Sequence, residues 1–406
     1  MSGLDHPRNV LIVEMNSHLQ TSSPTVTSAW DWKFEPDSVE ASKTYREKLL
    51  QKNEMSPVLH FQMDMRDSPE DKERAILTFH KKANVEWACP FKCTLHGDPA
   101  IGDGVTRHVF ATVMSKLQHG FELQLVPGGT LLFEGEKDHM IPSTSQCFLD
   151  SDLFVVAGRM IGHSFLHGGP CLTGLSPAIV HVLFGGSPET ATIDILDCAD
   201  VDIRQIIKKL EGTGDLSTEE KSAITDLALS WDLPAVTSEN RRWLHDKLLM
   251  QAVLERTSKQ LKQLRHGMKE MLIWPLLTER KDTIPLLFPR TSDALYTPKM
   301  LLERICWPDE DEDSDVSLED TCRLTGLLRT FIENSSSNIL RSLTEFWTGW
   351  DVQPRSLVVE VVDGNLPKSS TCYQTLKLPS HYRDYAAFER DFLAAICSRD
   401  YGFGLV

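Results

Sequence analysis

LPKSSTCYQTL at residues 366–376 is the stretch that decides how this chain folds around its most reactive group. Pro367 fixes its own φ and favours an extended residue before it, and small polar residues then lead to Cys372. The valine-rich run at 357–362 predicts a strand before the loop, and Asp-Gly-Asn at 363–365 predicts a turn. We therefore expect Cys372 at the rim of a small α/β unit with an accessible sulfur, as a nucleophilic thiol requires.

Amphipathic helices are predicted on both sides of this loop. Apolar residues recur at the helical period in 318–332, in 339–346 and again in 385–396. Their apolar faces, together with the valine strand, are sufficient for one small core. The last part of the chain, residues 317–406, is therefore predicted to be a domain of its own.

Short motifs in this region resemble those of the HECT ubiquitin ligases, and they occur in the order that the family has. They are Phe-Trp-Thr-Gly at 346–349, Leu366-Pro367, Thr371-Cys372, Leu376, Leu378-Pro379 and the ending Tyr-Gly-Phe-Gly-Leu-Val at 401–406. The resemblance extends over about residues 90–406 and is weaker before the last third. For example, Thr106-Arg107-His108 follows Asp103-Gly104-Val105, where the family usually has a paired glycine and then Arg-Glu.

The resemblance implies an α+β, bilobal HECT fold. A mostly helical N-lobe with a small sheet would occupy residues 71–308, and its helical subdomain for docking a conjugating enzyme would lie at about 215–300. The acidic run at 309–316 would be the connector at the hinge, because dense like charges repel and stay solvated. A smaller α/β C-lobe would follow at 317–406. Residues 1–70 show no comparable pattern, so we expect a poorly structured N-terminal extension there.

The resemblance also implies an activity, that of a HECT-type E3 ubiquitin-protein transferase. Cys372 would accept ubiquitin from a conjugating enzyme as a thioester and pass it to a lysine of a protein substrate. Thr371 would shape the loop through a side-chain hydrogen bond to the backbone. Phe403 would orient the C-lobe for transfer, or would be simply a packed terminal aromatic residue. Ser370 stands where many members have a histidine, so the sequence shows no local base.

Three alternatives remain open at this stage. The first is a catalytically degenerate HECT-like module that binds or scaffolds partners, favoured by the partial N-lobe motif. The second is a cysteine hydrolase, which needs a histidine near the thiol; His381 is the nearest in sequence. The third concerns the methionine-rich stretch at 268–274, which could dock the conjugating enzyme or fill the core, since methionine serves both purposes.

Composition excludes several classes of partner. The chain has 406 residues and a net charge of −16, whereas binding to nucleic acid or to an anionic membrane requires clustered Lys and Arg. No uncharged apolar run reaches the roughly 18 residues of a membrane-spanning helix. We therefore expect no nucleic acid and no membrane as partners, and no cofactor.

The nine scattered cysteines predict free thiols in a reducing compartment, hence a cytoplasmic or nuclear protein. Cys89, Cys93 and His96 lack a fourth ligand at zinc-site spacing, so we expect no metal. Cys322 and Cys397 lie beside apolar residues on predicted helices and should be inert.

Local signals place several helices in the first part of the chain. Gly158 and Gly162 are four residues apart in a predicted helix, so a neighbouring backbone can approach that face closely. His163 and His167 share this spacing without a zinc-protease motif, and we interpret them as packing or surface residues. Ser217 begins a Ser-x-x-Glu capping box.

Overall fold

The computed structural model describes residues 31–97, 102–124, 129–290, 296–308, 317–348, 357–371 and 374–397. Within these ranges the chain is mostly helical with small sheets, which is compatible with the predicted α+β class. None of the described helices is both long and apolar enough to cross a membrane. The buried apolar side chains form two separate clusters, here called the first core and the second core.

The first core is built from twelve helices and two small sheets. The helices are α1 Ser38–Lys52, α2 Pro69–Lys81, α3 Asp103–His119, α4 Gln146–Asp150, α5 Leu153–Leu166, α6 Pro177–Leu183, α7 Val201–Lys208, α8 Thr218–Ser230, α9 Arg241–Met250, α10 Ser258–Glu270, α11 Trp274–Glu279 and α12 Ile284–Leu287. The strands are β1 Leu59–Asp64 and β2 Phe91–His96, which pair in parallel, and β3 Phe133–Glu134 and β4 Ile141–Pro142, which pair antiparallel.

The centre of the first core is the contact between α5 and α10. A Cβ on Gly158 would lie 2.2 Å from the carbonyl oxygen of Leu264, and a Cβ on Gly267 would lie 2.0 Å from that of Val155. Real Cβ atoms do not approach a carbonyl oxygen so closely, so only glycine permits this helix spacing. The predicted close approach is confirmed at Gly158. At Gly162, the neighbour is the side chain of Met271 rather than a backbone.

The segment before residue 70 differs from the expectation of a poorly structured extension wherever the structure describes it. Asp37 caps α1 by accepting from two backbone N–H groups, and Trp32 is buried in the first core. The Tyr45 hydroxyl donates to the Leu272 carbonyl at 2.6 Å, and Arg280 donates to the Trp32 carbonyl at 2.8 Å. The loop-like composition gives no sign of the contacts of Trp32 and Tyr45, because their hydrogen-bond partners are more than 200 residues away in the sequence. Residues 1–30 lie outside the described ranges.

The second core surrounds a four-stranded sheet with the order β5-β6-β8-β7. Its strands are β5 Ile305–Cys306, β6 Leu357–Val362, β7 Lys368–Ser370 and β8 Thr375–Pro379, and its helices are α13 Pro298–Leu302, α14 Leu318–Asn334, α15 Ser337–Thr348 and α16 Tyr385–Cys397. Strands β5, β6 and β8 are parallel, whereas β7 runs antiparallel to β8. Residues 296–306, expected in the first unit, pack here because β5 pairs with β6. The acidic connector at 309–316 lies outside the described residues.

Serine side chains cap several helices, and the capping box predicted at Ser217 is confirmed. Ser176, Ser217 and Ser317 each accept a backbone N–H at the start of α6, α8 and α14, and Ser217 completes its capping box with Glu220. The apolar residues between 243 and 264 fit one continuous helical pattern, but the structure divides this stretch into α9 and α10 by a π-helical turn at Gln251–Glu255. The helical periodicity of apolar residues does not reveal a single π-helical turn of this kind.

Candidate active site at the Cys372 loop

The cysteine loop connects the two strands of a β-hairpin. Ser370 pairs with Thr375 across β7 and β8, so residues 371–374 are the connection between the strands, here called the cysteine turn. The N–H of Gln374 approaches the carbonyl oxygen of Thr371 at 3.4 Å, as across a four-residue turn. Gln374 has a positive φ of 52°, a conformation that turns tolerate at such a position. Cys372 itself lies outside the described residues, as does Phe403.

Trp347 holds the far side of the turn from within the second core. It is fully buried, and its indole N–H donates to the carbonyl oxygen of Gln374 at 2.8 Å and to that of Val358 at 3.2 Å. A buried indole normally finds an acceptor, and here the acceptors are the loop and the strand beside it. Trp347 of the Phe-Trp-Thr motif at 346–348 therefore connects the second core to the end of the cysteine loop.

Arg107 holds the near side of the turn from the first core. It lies in α3, and Nη2 donates to the carbonyl oxygen of Thr371 at 2.7 Å. Hydrogen bonds from an ionised donor are short and about twice as strong as neutral ones. Because the accepting oxygen belongs to the peptide unit that joins Thr371 to Cys372, the guanidinium binds the backbone directly before the cysteine. The predicted role of the Thr371 side chain remains a prediction.

Arg107 is the contact residue of the candidate site that sequence reasoning missed. It was noticed only as part of a divergent motif, and its partner lies 264 residues away. The acceptor is a backbone oxygen, which every residue type has. The sequence therefore cannot indicate which residue accepts the hydrogen bond from Arg107. Only the packing of the second core beside α3 makes the contact visible.

The other cysteines differ from one another in burial. Burial raises the pKa of the Cys93 thiol to about 12 and that of Cys198 to about 11, so both are thiols at neutral pH. Cys322 and Cys397 lie on helices, as predicted, but both are exposed rather than shielded by their apolar neighbours. The inertness predicted for these two cysteines remains a prediction, and as exposed thiols they provide comparisons for the reactivity of Cys372.

His381 is poorly located for a hydrolase. It lies two residues after Pro379, whereas the cysteine turn precedes Thr375, so β8 separates the two. At about 3.3 Å per residue, His381 is roughly 20 Å from the turn along the strand. Its Nδ1 lies 3.1 Å from the carbonyl oxygen of Gly364. The described geometry does not favour a Cys–His pair.

The stretch at 268–274 is mainly core. Met268, Met271 and Ile273 are completely buried, which settles the open alternative against docking for these three. Leu272 is exposed, and Trp274 stacks on Phe184. Other exposed apolar side chains occur on α8 and α9 and on α7, which contacts both of them. These side chains are Val201, Leu229 and Trp243.

The two helical histidines are packing residues, as predicted, and belong to a buried aromatic cluster. His163 is fully buried, and its Nδ1 lies 3.3 Å from Nε2 of His80. His80 stacks on Trp87 and lies 3.0 Å from the Ile76 carbonyl oxygen through Nδ1. Burial lowers the pKa of His80 to about 4, so this cluster is neutral at pH 7.

Comparison with known proteins agrees with the family that the motifs indicate. The family model described as HECT-domain (ubiquitin-transferase) matches residues 124–406. A G2/M phase-specific E3 ubiquitin-protein ligase of Gallus gallus is 30% identical over 162 residues, which are 39% of this chain and 21% of that protein. The protein of the same name from Macaca fascicularis is 28% identical over 145 residues, which are 34% of this chain and 20% of that protein.

The chain thus spans about a fifth of the length of these two relatives in the aligned regions. The family match is much broader, since it includes the part of the first core after residue 124, the whole second core and the hairpin at 368–379. It supports ubiquitin transfer as the general activity and confirms the resemblance that the motifs indicated. This chain is a member of the HECT-domain (ubiquitin-transferase) family, the HECT-type E3 ubiquitin-protein ligases.

Proposed function

We propose that this chain accepts ubiquitin from a conjugating enzyme as a thioester on Cys372 and passes it to a lysine of a protein substrate. The observation that carries the proposal is the anchoring of the turn at 371–374. Trp347 binds the backbone after the cysteine, and Arg107 binds the backbone before it. A turn that is held at both ends keeps its reactive group in a defined position, which is what group transfer between two large proteins demands.

The chemistry has two steps that balance without a cofactor. In the first, the Cys372 thiolate attacks the carbonyl carbon of the donor thioester, a new carbon–sulfur bond forms, and the donor cysteine leaves as thiolate. In the second, a neutral lysine amine attacks the new thioester, an isopeptide carbon–nitrogen bond forms, and the Cys372 thiolate leaves. The amine loses one proton to solvent or to a nearby base.

The partners are a ubiquitin-conjugating enzyme, ubiquitin and a protein substrate. Docking of the conjugating enzyme on the helical region at 201–250 is supported by its exposed apolar side chains. Trp243 is 45% exposed and Leu229 is 58% exposed, more than large apolar residues usually are in a helical core. We further propose that the protein acts in the cytoplasm or the nucleus, where cysteines stay reduced.

The direct test combines the protein with activating enzyme, a broad panel of conjugating enzymes and ubiquitin. We expect a ubiquitin adduct that disappears on thiol reduction, detected by non-reducing electrophoresis. Cys372→Ala should abolish the adduct. The matched controls Cys322→Ala and Cys397→Ala, which remove exposed cysteines elsewhere, should leave it intact.

Further results distinguish thioester formation from isopeptide formation, and an active ligase from a degenerate binding module. Phe403→Ala should still form the thioester but should slow isopeptide formation. Absence of any thiol-reducible adduct across the panel would exclude the carrier function. If conjugating enzyme or ubiquitin still bound under those conditions, the chain would be a degenerate HECT-like binding module instead.

A further inference from the structure

One hydrogen bond connects the first core directly to the cysteine turn. Val105 and Val109 bury α3 in the first core, so Arg107 between them is attached to a rigid helix. Thr371 follows β7 of the second core and is itself buried. The bond between Arg107 Nη2 and the Thr371 carbonyl oxygen, at 2.7 Å, therefore crosses from one core to the other.

We infer that Arg107 is a positioning residue for transfer from Cys372 to lysine: from the first core, it orients the peptide that precedes the reactive cysteine. The inference rests on the proposed function and adds to it a residue outside the second core. Arg107 does not touch the reacting atoms in this account, because its acceptor is a backbone oxygen.

The position of this contact explains why we expect it to affect discharge of ubiquitin from Cys372 more than loading. When Cys372 is loaded, its thiol has to meet a thioester that another protein carries, so the position of that partner governs the encounter. When Cys372 is discharged, this chain alone holds the thioester in place for the incoming amine. A contact between the two cores of the same chain is therefore expected to matter most in the second step.

The chemistry of the guanidinium suits this role. Its charge-assisted bond is strong enough to bias the position of a turn, yet a single bond of this type can open when the cores separate. Trp347 acts from the second core and moves with the turn, whereas Arg107 belongs to the other core. The bond from Arg107 therefore forms only when the two cores lie close together, whereas the bond from Trp347 does not depend on how the cores are arranged.

The test uses Arg107→Met, which keeps the apolar stem and removes the charged donors. Ubiquitin thioester on the full chain is chased with free lysine in single-turnover experiments, and loading is measured separately. We expect discharge to slow about tenfold, consistent with the loss of one charge-assisted bond, while loading changes less than about threefold. Arg107→Lys, which keeps a charge and a donor, should discharge within about threefold of the unsubstituted protein.

A matched control removes a guanidinium of similar chemistry that does not cross between cores. Arg46 in α1 donates to the Phe165 carbonyl oxygen at 3.0 Å within the first core. Arg46→Met should leave discharge unchanged. Discharge of Arg107→Met at the normal rate, an equal loss in loading and discharge, or failure of Arg107→Lys to restore the rate would overturn the inference.

Hydrogen exchange gives a second measurement that needs no ubiquitin. Amides of a peptide covering 366–376 should exchange faster in Arg107→Met, whereas amides in Leu318–Asn334 should not change. Unchanged exchange at 366–376 would show that Arg107 does not hold the turn. If the unsubstituted protein formed no adduct at all, the proposed function would fail, and the exchange result would still decide whether the contact exists.

Discussion

The two cores of this molecule are held together in different ways. In the first core, α5 and α10 interlock through Gly158 and Gly267, so that backbone packs on backbone. In the second core, a small mixed sheet is linked to its helices partly by single polar contacts, such as that from Trp347 to the cysteine turn. Between the cores, Arg107 contributes one charge-assisted bond to Thr371.

This difference teaches how stability and transfer can coexist in one chain. Interlocked backbones cannot separate without unfolding, because the interior is close-packed. A bond from an ionised donor contributes about 1.5–3 kcal/mol and can be replaced by water, so it can open reversibly. We interpret the first core as a rigid platform and the second core as the unit that carries the cysteine turn.

The largest expected effect comes from breaking the platform with Gly158→Ala. The new Cβ would lie 2.2 Å from the Leu264 carbonyl oxygen, so α5 and α10 must move apart. We expect the free energy of unfolding to fall by about 3 kcal/mol or more, because the obstructing atom is backbone and cannot rotate away. Urea denaturation followed by circular dichroism measures this loss.

The same substitution in the second core should have the opposite sign. A Cβ on Gly326, an exposed residue inside α14, meets no atom within 4 Å. Gly326→Ala should therefore stabilise the protein by about 0.5–1 kcal/mol, through the higher helix propensity of alanine. Equal effects at the two glycines would contradict the proposed contrast between the cores.

A smaller loss of stability than that of Gly158→Ala is expected when the pH is lowered. The pKa of His80 is lowered to about 4 by burial, so the unfolded chain takes up this proton first as the pH falls. The stability that neutral His80 provides is complete above pH 6.5 and is lost between pH 6.5 and about 4, by up to about 3 kcal/mol. Urea midpoints measured from pH 7.5 to 4.5 should show this slope.

The surroundings of His80 make the direction of this effect clear. Arg159 donates to the His80 carbonyl oxygen at 2.9 Å, and its charge opposes protonation of the ring. His163 and His167, whose pKa values are also lowered by burial, add to the effect in the same direction. The second core contains His381 alone among the histidines after residue 290 in the sequence, and it is exposed. His80→Gln should flatten the slope; an unaltered slope would count against this explanation.

The smallest of the expected losses of stability concerns the contact of Trp347 with the cysteine turn. Trp347→Phe keeps most of the buried ring and removes the indole donor to Gln374 and Val358. We expect a loss of about 1 kcal/mol, because the Gln374 carbonyl oxygen loses the indole N–H but keeps the Val358 N–H as a donor. Denaturation in urea measures it. Trp243→Phe, at an exposed position, should change stability by less than about 0.5 kcal/mol, and equal losses in the two variants would argue against the role of the indole bond.

Local features of the fold could be predicted because their causes are local. Ser176, Ser217 and Ser317 begin helices through bonds to residues two or three positions later. The valine-rich run forms β6, and Gly158 lies at a close approach of two helices. By contrast, the burial of Met268 and Met271 was undecided in the sequence, since an apolar face fits either a core or a partner.

The residues themselves determined the family, the valine-rich strand, the Thr-Cys pair of the loop and several helix starts, because short motifs and caps depend on near neighbours in the chain. The tertiary structure decided what packs beside the cysteine turn. Arg107 contacts Thr371 and Trp347 contacts Gln374 through backbone oxygens, which carry no signature of residue type. It also decided that Trp32 and Tyr45 belong to the first core, because their partners are distant residues that only folding brings close.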